Sequence, residues 1–192
     1  MRVIALNGSA RKDGNTAILL NLALGELQAE NIETEMIQLA GERISGCIAC
    51  YQCQKNQDGK CVIQSDRVNE YIQKMREAEG ILLGSPTYIA NITASLKAIL
   101  ERATIVCRAN GADMFKRKVG AGIVAVRRAG AIQAFNAMNA FFLINQMIVV
   151  GSSYWNVGIG RNAGEANSDL EGAQTMKTLG QNMVWLLKKI RG

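Results

Sequence analysis

Short apolar runs alternate with longer segments of helical periodicity along the whole chain. The segments that predict strands cover residues 2–9, 80–88, 118–126 and 147–155, which are largely apolar, and residues 32–39, in which apolar and polar positions alternate. In the segments that separate and follow them, apolar residues recur every three or four positions, which predicts helices over 15–31, 66–78, 90–109, 131–146 and 170–190. This alternation is typical of a doubly wound α/β sheet, with helices on both faces and functional loops at the carboxyl ends of the strands.

Two segments interrupt this alternation. A cysteine-rich loop at about 43–63 follows the second predicted strand, and a glycine-rich stretch at 156–169 follows the fifth. The sequence contains no internal repeat and no low-complexity linker. With 192 residues, 48% of them apolar, the chain is long enough to bury one sizeable core. We therefore expect residues 1–192 to form a single domain.

Composition narrows the classes of function. Lys and Arg number 22 against 16 Asp and Glu, a net charge of +6, which favours anionic partners such as phosphate-bearing cofactors or an acidic redox protein. Nucleic acid is not expected, because the basic residues are scattered except at 115–118 and 127–128 and no aromatic-rich RNA motif accompanies them. Histidine is absent, which removes imidazole from any acid–base or metal-ligand scheme. These features favour chemistry whose reactive group is a cofactor, with no catalytic side chain.

The chain also shows no sign of a membrane partner. Its longest apolar runs are far shorter than the roughly 18 to 20 residues that span a bilayer. Residues 1–6, MRVIAL, are followed at once by polar residues 7–16, unlike a secretory signal peptide. We expect a cytoplasmic protein.

The loop after the first predicted strand has the features of a phosphate site. Residues 8–17 lie where a strand leads into a helix, so free backbone N–H groups and the helix dipole favour an anion there. Ser9, Asn15 and Thr16 offer side-chain donors, and Arg11 adds a cation. A phosphate monoester fits this set, although a solvated loop with a capping Asn or Thr explains the same residues. The segment matches neither the P-loop nor the G-x-G-x-x-G motif.

The loop after the third predicted strand is suited to a planar heteroaromatic ring. Pro86, the only proline, fixes the turn, and Thr87, Tyr88 and Asn91 present polar groups and an aromatic edge. The alternative is an ordinary strand-ending turn with a buried Tyr. In a sheet of order 2-1-3-4-5 the ends of the first and third strands flank the topological switch point. One ligand could therefore place its phosphate on the first loop and its ring on the third.

Together, "GSARKDGNT" at 8–16 and "GSPTYIANITASLKAILER" at 84–102 resemble the FMN-binding loops of NADPH-dependent FMN reductases, a branch of the flavodoxin-like proteins. The resemblance implies a flavodoxin-like three-layer sandwich, with a five-stranded parallel sheet of order 2-1-3-4-5, and FMN as cofactor. By position, the four residues of the first loop would bind the phosphate, and Pro86, Thr87, Tyr88 and Asn91 would line the isoalloxazine. It also implies contacts from the loop after the fourth strand, for which the candidates are Val126, Arg127 and Gly130.

Four of the five cysteines are spaced Cys47-x2-Cys50-x2-Cys53-x7-Cys61, and Cys107 lies apart. A disulfide scaffold is not expected, because the cytosol keeps thiols reduced and a core of this size is stable without disulfide bonds. Structural zinc more often uses two separated C-x2-C pairs, whereas a consecutive C-x2-C-x2-C run is the habit of iron-sulfur ligation. The spacing favours a cluster and leaves free thiols and zinc as alternatives.

Within the family, a compact cysteine motif after the second strand resembles the iron-sulfur flavoproteins. This implies a [4Fe-4S] cluster on Cys47, Cys50, Cys53 and Cys61, electrons from an acidic ferredoxin-like donor, and a small-molecule acceptor such as a quinone, oxygen or peroxide. It also implies a homodimer or homotetramer. Two other hypotheses stay open. One is a cluster-free reductase of FMN or quinones that uses NAD(P)H, and the other is a non-enzymatic module whose cysteines sense redox state or hold zinc.

Overall fold

The computed structural model describes residues 1–191, which form one parallel sheet covered by helices. The strands are β1 (Arg2–Asn7), β2 (Glu33–Gln38), β3 (Gly80–Pro86), β4 (Val119–Val126), β5 (Ile148–Val149) and β6 (Val157–Ile159). The helices are α1 (Asn15–Ala29), α2 (Gln52–Asn56), α3 (Val68–Glu77), α4 (Ala94–Ala109), α5 (Ala131–Ile144) and α6 (Leu170–Arg191), with a short 3-10 helix at Glu165–Ser168. The strand order is β2-β1-β3-β4-β5, and β6 pairs with β4. This confirms the predicted flavodoxin-like order, with one additional strand.

Strict alternation of side chains along β1 divides the core into two layers. Ile4 and Leu6 face one side of the sheet, where they pack with α3, α4 and α5, while Val3 and Ala5 face α1 and α6. Helices cover both faces of the sheet, so β1, β3 and β4 are almost entirely buried, whereas the edge strand β2 keeps polar, partly exposed residues. Within residues 1–191, no helix is both long and apolar enough to cross a membrane.

The sheet register brings three loops to one edge. Asn7 at the end of β1 pairs with Gly84 in β3, and Pro86 at the end of β3 pairs with Ala125 in β4. Because all of these strands are parallel, the loops that follow them leave the sheet on the same side, at the switch point between β1 and β3. This is the edge at which the sequence predicts a ligand.

The predicted fifth strand at 147–155 is wrong in extent. Only Ile148 and Val149 pair with β4, and the chain leaves the sheet before β6 rejoins β4 at Val124–Val126. The buried Asn156 accounts for the break: its Nδ2 donates to the carbonyl oxygen of Gly122 over 3.0 Å, and its carbonyl oxygen accepts from the N–H of Val124. A side chain thus takes the place of a strand-to-strand hydrogen bond, and the glycine-rich stretch contributes β6 and the 3-10 helix.

Two smaller differences also concern loops. The helix predicted from residue 90 begins at Ala94, because a tight turn occupies residues 88–91. The cysteine segment contains the five-residue helix α2, which its sequence pattern did not indicate. Both differences arise where residues in left-handed backbone conformation reverse the chain.

Candidate functional site

The loop between β1 and α1 is held compact by its own hydrogen bonds. The N–H of Ser9 donates to Oδ1 of Asn7 over 3.1 Å, and the Ser9 hydroxyl accepts from the N–H of Arg11 over 3.0 Å. The N–H of Gly8 donates to the carbonyl oxygen of Gly84, which joins this loop to the end of β3. Ser9 and Thr16 are buried, whereas Arg11 is exposed and leaves its guanidinium free to move toward an anion.

Asn15 has a structural task in addition to its predicted ligand role. Its Nδ2 donates to the carbonyl oxygen of Asn162 over 2.9 Å, and its Oδ1 accepts from the N–H of Ala166 over 3.2 Å. The side chain therefore holds the loop after β6 against the start of α1. What Asn15 can still offer a phosphate is its backbone N–H, in the first turn of a helix that has Gly14 at its N-cap and no acidic residue in that turn.

The loop after β3 ends in a tight two-residue turn. The N–H and carbonyl groups of Tyr88 and Asn91 exchange two hydrogen bonds, of 2.9 and 3.0 Å. Between them, Ile89 (φ 47°) and Ala90 (φ 54°) are both in the left-handed region, as in a type I′ turn. Such backbone costs about 1 to 3 kcal/mol for each residue that is not glycine. The Ile89 side chain is 99% exposed at the tip, where its packing stabilises nothing within the described chain.

The unpaired hydroxyl of Thr87 indicates that a ligand fits at the carboxyl edge of the sheet. Oγ1 of Thr87 is buried, yet it has no hydrogen-bond partner among residues 1–191. Nδ2 of Asn7, at the end of β1, is in the same situation. An unpaired buried polar atom costs about 1 to 3 kcal/mol, so native proteins rarely leave one without a purpose. Thr87 also lines the cleft described below, where a ligand oxygen or nitrogen would pair with its hydroxyl.

The loop after β4 packs against the loop after β3. Gly130, at the start of α5, has φ +85°, and a Cβ on it would lie 3.1 Å from Cα of Ala90. Val126 is buried in the core, and its carbonyl oxygen accepts from the N–H of Gly160. Arg127 is exposed and lines the cleft. Only a residue without a side chain fits at Gly130 without moving the neighbouring turn.

These loops enclose a cleft of about 150 Å³ at the carboxyl edge of the sheet. It is lined by Ser9, Arg11, Asn15, Thr16, Pro86, Thr87, Tyr88, Ala125, Arg127, Gly160 and Arg161. The structure thus brings together eight of the residues predicted for a flavin nucleotide, whereas Asn91, Val126 and Gly130 are not among the lining residues of the cleft. Pockets for ligands of this size measure about 300 to 1,000 Å³, so the cleft encloses part of such a ligand.

The charge of the cleft fits a phosphate. Three arginines line it, Arg11, Arg127 and Arg161, and no Asp or Glu is among its described lining residues. Gly160 and Arg161 were missing from the sequence prediction. They follow β6, which the sequence pattern merged into a loop, so only their position in the glycine-rich stretch hinted at a binding role.

The four clustered cysteines line a second, smaller cavity. Cys47, Cys50, Cys53 and Cys61 surround about 20 Å³ together with Arg102 of α4. Cys50 is exposed, Cys53 is buried, and burial raises the pKa of the Cys53 thiol. The fifth cysteine is buried elsewhere in the core. The sequence prediction that these four thiols act as a set therefore agrees with their placement around one cavity.

The arrangement of the thiols bears on which metal group they could hold. Within residues 1–191, no three His, Cys, Asp or Glu side chains converge closely enough to ligate a single metal ion. A zinc ion at about 2.3 Å from each of four sulfurs requires such convergence. Four cysteines with no other ligand type suit structural zinc and an iron-sulfur cluster alike, and a cluster is larger than one ion. The cavity has the volume of a single water, so the exposed loop would have to open outward to admit a cluster.

Arg102, on α4, anchors the segment that carries the four cysteines. Its guanidinium forms a buried ion pair with Asp66, Nη1 to Oδ2 at 2.5 Å, and donates to the carbonyl oxygens of Ser45 and Ile63. Burial alone would raise the pKa of Asp66, but hydrogen bonds, of which that from Arg102 is the strongest, hold the pKa below its usual value. Sequence reasoning missed Arg102, although its helical spacing from Ile99 and Val106 placed it on the buried face of α4.

A family comparison agrees with this geometry. The model of the family described as NADPH-dependent FMN reductase matches residues 1–162. An iron-sulfur flavoprotein of Methanocaldococcus jannaschii is 38% identical over 199 aligned positions, which cover all of both chains. An iron-sulfur flavoprotein of Methanosarcina thermophila is 32% identical and covers all of this chain and 97% of its own.

Solved structures show the same fold at lower identity. The crystal structure of RosB with a bound 8-demethyl-8-formylriboflavin-5'-phosphate has a TM-score of 0.76 at 18% identity, and the match covers all of this chain and 80% of that one. A flavodoxin from the domain Archaea has a TM-score of 0.64 at 15% identity, over 98% of this chain and 99% of that one.

The fold and the family match thus define a flavodoxin-like redox protein that binds FMN. The chain belongs to the NADPH-dependent FMN reductase family and, within it, to the iron-sulfur flavoproteins. It is an FMN-dependent oxidoreductase.

Proposed function

We propose that the protein is a cytoplasmic iron-sulfur flavoprotein that passes electrons between a ferredoxin-like donor, a [4Fe-4S] cluster, FMN and a small-molecule acceptor. The observation that carries the proposal is that Cys47, Cys50, Cys53 and Cys61 line one cavity, in a chain of an FMN-binding family that also has a cleft at the carboxyl edge of its sheet. Two relatives that match over the whole chain are named iron-sulfur flavoproteins, which supports the proposal.

The residues of the cleft have binding tasks in this proposal. Arg11 and the backbone N–H groups that begin α1 would bind the phosphate, and Thr87 with its unpaired hydroxyl would hydrogen-bond the ring system. Bound FMN supplies an isoalloxazine that accepts and releases electrons one or two at a time. The chain itself has no histidine to move protons. Its contribution is to hold the cofactors and to set their electrostatic surroundings.

Charge supports an acidic donor protein. The net charge is +6, and Arg11, Arg127, Arg128 and Arg161 are exposed on the loops near the cleft. Opposite charges steer two proteins into contact, and the effect weakens with ionic strength. Electron transfer from a ferredoxin-like donor should therefore slow as salt is raised.

We also propose that the protein is a homodimer or homotetramer. Apolar side chains are exposed beside the cysteine segment: Ile48 and Tyr51 on the segment itself, and Leu143 and Ile144 at the end of α5. Of these, Ile144 borders a groove of about 540 Å³ between α4 and α5, which Cys47 and Ala49 of the cysteine segment also line. Exposed apolar patches of this kind mark contact surfaces. Light scattering of the purified protein measures the mass, and a monomer at micromolar concentration would contradict this proposal.

A second candidate function is a cluster-free reductase of FMN or quinones that uses NAD(P)H. The small volume of the cysteine cavity and the description of the matching family favour it. In that case the cysteines are not needed for activity, and nicotinamide reduces the flavin directly.

One preparation distinguishes the two functions. Protein purified without oxygen is analysed for iron, sulfide and FMN, and compared with a variant in which Cys47, Cys50, Cys53 and Cys61 are replaced by Ser. We expect the variant to keep FMN and lose iron, while Cys107→Ala, which changes the remote cysteine, keeps both. Wild-type protein that holds FMN without iron, and whose flavin is bleached by NADPH, would establish the cluster-free reductase instead.

A further inference from the structure

Arg102 connects both ends of the cysteine segment to the core. Its side chain is fully buried in the middle of α4. Nη1 donates to the carbonyl oxygen of Ser45, just before the first cysteine, and Nη2 donates to that of Ile63, just after the last. Asp66 balances its charge at 2.5 Å from Nη1. One guanidinium group thus joins α4 to both ends of residues 46–62.

The third nitrogen of the same guanidinium, Nε, makes no hydrogen bond in the described structure. Nε of Arg102 is buried and has no acceptor among residues 1–191. Arg102 is also the only charged residue among the described lining of the cavity that the four cysteines surround. An unpaired buried N–H on a cation is more costly than one on a neutral group. This buried donor belongs to a residue that lines the thiol cavity, and no thiol of the described structure satisfies it.

The chemistry of a cluster would satisfy this donor. Four thiolates give an iron-sulfur cluster a net negative charge, and hydrogen bonds and nearby cations raise its reduction potential because they stabilise the additional electron. The other basic residues of the segment, Lys55 and Lys60, are exposed to solvent, which screens them. Arg102 is buried and Asp66 balances its charge, so what it offers a cluster is the hydrogen bond of its Nε–H.

We propose that Arg102 is the positioning residue of the cluster site: it anchors both ends of residues 46–62 to α4 while the loop between them opens for the cluster, and its Nε–H hydrogen-bonds toward cysteine sulfur and raises the cluster's reduction potential. The inference rests on the proposed function, since it requires that the cysteines hold a cluster.

Two variants test it. Arg102→Lys keeps the charge but has one nitrogen, which cannot contact Asp66, both carbonyl oxygens and the cavity at once. The double variant Arg102→Leu with Asp66→Leu removes the ion pair as a unit, so no buried carboxylate is left uncompensated and the fold is retained. Arg108→Lys, at an exposed position on the same helix, is the matched control.

Full-length proteins are purified without oxygen, and iron, sulfide and FMN are quantified. The cluster's midpoint potential is measured by redox titration followed by electron paramagnetic resonance. In both Arg102 variants we expect unchanged FMN content and iron binding weakened about 10-fold or more. We also expect the retained cluster's reduction equilibrium to shift about 10-fold toward the oxidised form, which is 59 mV for one electron. Arg108→Lys should match the wild type.

The possible results distinguish the role of Arg102 from the proposed iron-sulfur function. Wild-type iron content and midpoint potential in both Arg102 variants would overturn the role of Arg102 and leave the cluster in place. Loss of iron with an unchanged potential in the remaining cluster would overturn the Nε–H hydrogen bond. Wild-type protein without iron would overturn the proposed function, and this inference with it.

Discussion

Thr93 donates a hydrogen bond of 2.8 Å from its Oγ1 to the carbonyl oxygen of Gly8, and so joins two loops that are 85 residues apart in the chain. The same oxygen accepts from the N–H of Leu96 and caps α4. One hydroxyl therefore links the loop between β1 and α1, the turn after β3, and α4, the helix that carries Arg102.

Thr93→Val should destabilise the protein and weaken FMN binding together. The change removes a buried hydrogen bond and a helix cap, each worth about 1 kcal/mol, so we expect a loss of about 1 to 3 kcal/mol in the free energy of unfolding. Urea unfolding and FMN titration of the apoprotein measure the two effects. Thr93→Ser keeps the hydroxyl and should retain most of both. A Val variant with wild-type FMN affinity would show that the two loops do not need this link.

Thr87→Val should weaken FMN binding without weakening the fold. The hydroxyl of Thr87 has no partner within residues 1–191, so its replacement by a methyl group removes an unpaired buried polar atom and leaves the apoprotein equally or more stable. One lost hydrogen bond to the ligand is worth about 0.5 to 1.5 kcal/mol, a roughly 2- to 13-fold rise in the dissociation constant. Thermal unfolding and FMN titration, with Thr87→Ser as control, check this. Equal affinity in Thr87→Val would place the hydroxyl outside the flavin contacts.

Gly160→Ala should disturb the clamp that Asn15 forms. A Cβ at position 160 would lie 2.6 Å from Nδ2 of Asn15 and 3.0 Å from the N–H nitrogen of Ala166, so the Asn15 side chain must move. Overpacking of this kind costs about 1 to 3 kcal/mol, and we expect FMN affinity to fall because the cleft wall shifts.

Gly25→Ala is the matched control for that change. Gly25 lies inside α1, where a Cβ would meet no described atom within 4 Å, and Ala in a helix is favoured over Gly by about 0.5 to 1 kcal/mol. The control should be more stable than the wild type and should bind FMN equally well. If Gly160→Ala behaved like Gly25→Ala, the contact with Asn15 would be unimportant for the cleft.

The ion pair of Asp66 should make stability depend on pH in the acid range. Since the pKa of Asp66 in the folded protein lies below its usual 3.8, the carboxylate stabilises the fold above pH 3.8, and this contribution is lost as the pH falls through the folded value. Asp66→Asn leaves Arg102 without its counter-charge, so we expect a loss of about 3 to 5 kcal/mol at pH 7.

Urea unfolding of the apoprotein at several pH values measures this effect. The difference between wild type and Asp66→Asn should shrink below pH 3.8, because the wild-type carboxyl then becomes neutral as well. Asp13→Asn, at an exposed position, should track the wild type throughout. A difference that stays constant from pH 7 to the acid range would mean that the charge of Asp66 does not contribute.

Local patterns were sufficient for most of the fold. Apolar runs next to segments of helical periodicity placed β1, β3 and β4, because burial on both faces of a parallel sheet requires apolar residues throughout, and alternation of apolar and polar residues placed the edge strand β2. The loops of the cleft were predictable since glycines and Pro86 mark where strands end. The spacing of Cys47, Cys50 and Cys53 was sufficient to indicate one set of thiols, because residues three apart on a curled segment stay close together.

The tertiary structure decided what depends on contacts between distant residues. The break between β5 and β6 follows from the bond of Asn156 to Gly122, and the clamp at the cleft follows from Asn15 and Asn162, 147 residues apart. No local pattern encodes such pairs, since they arise only when sheet closure brings their backbones together. For the same reason the sequence by itself determined four cysteines suited to a cluster, and only the folded chain placed the buried Arg102 against them.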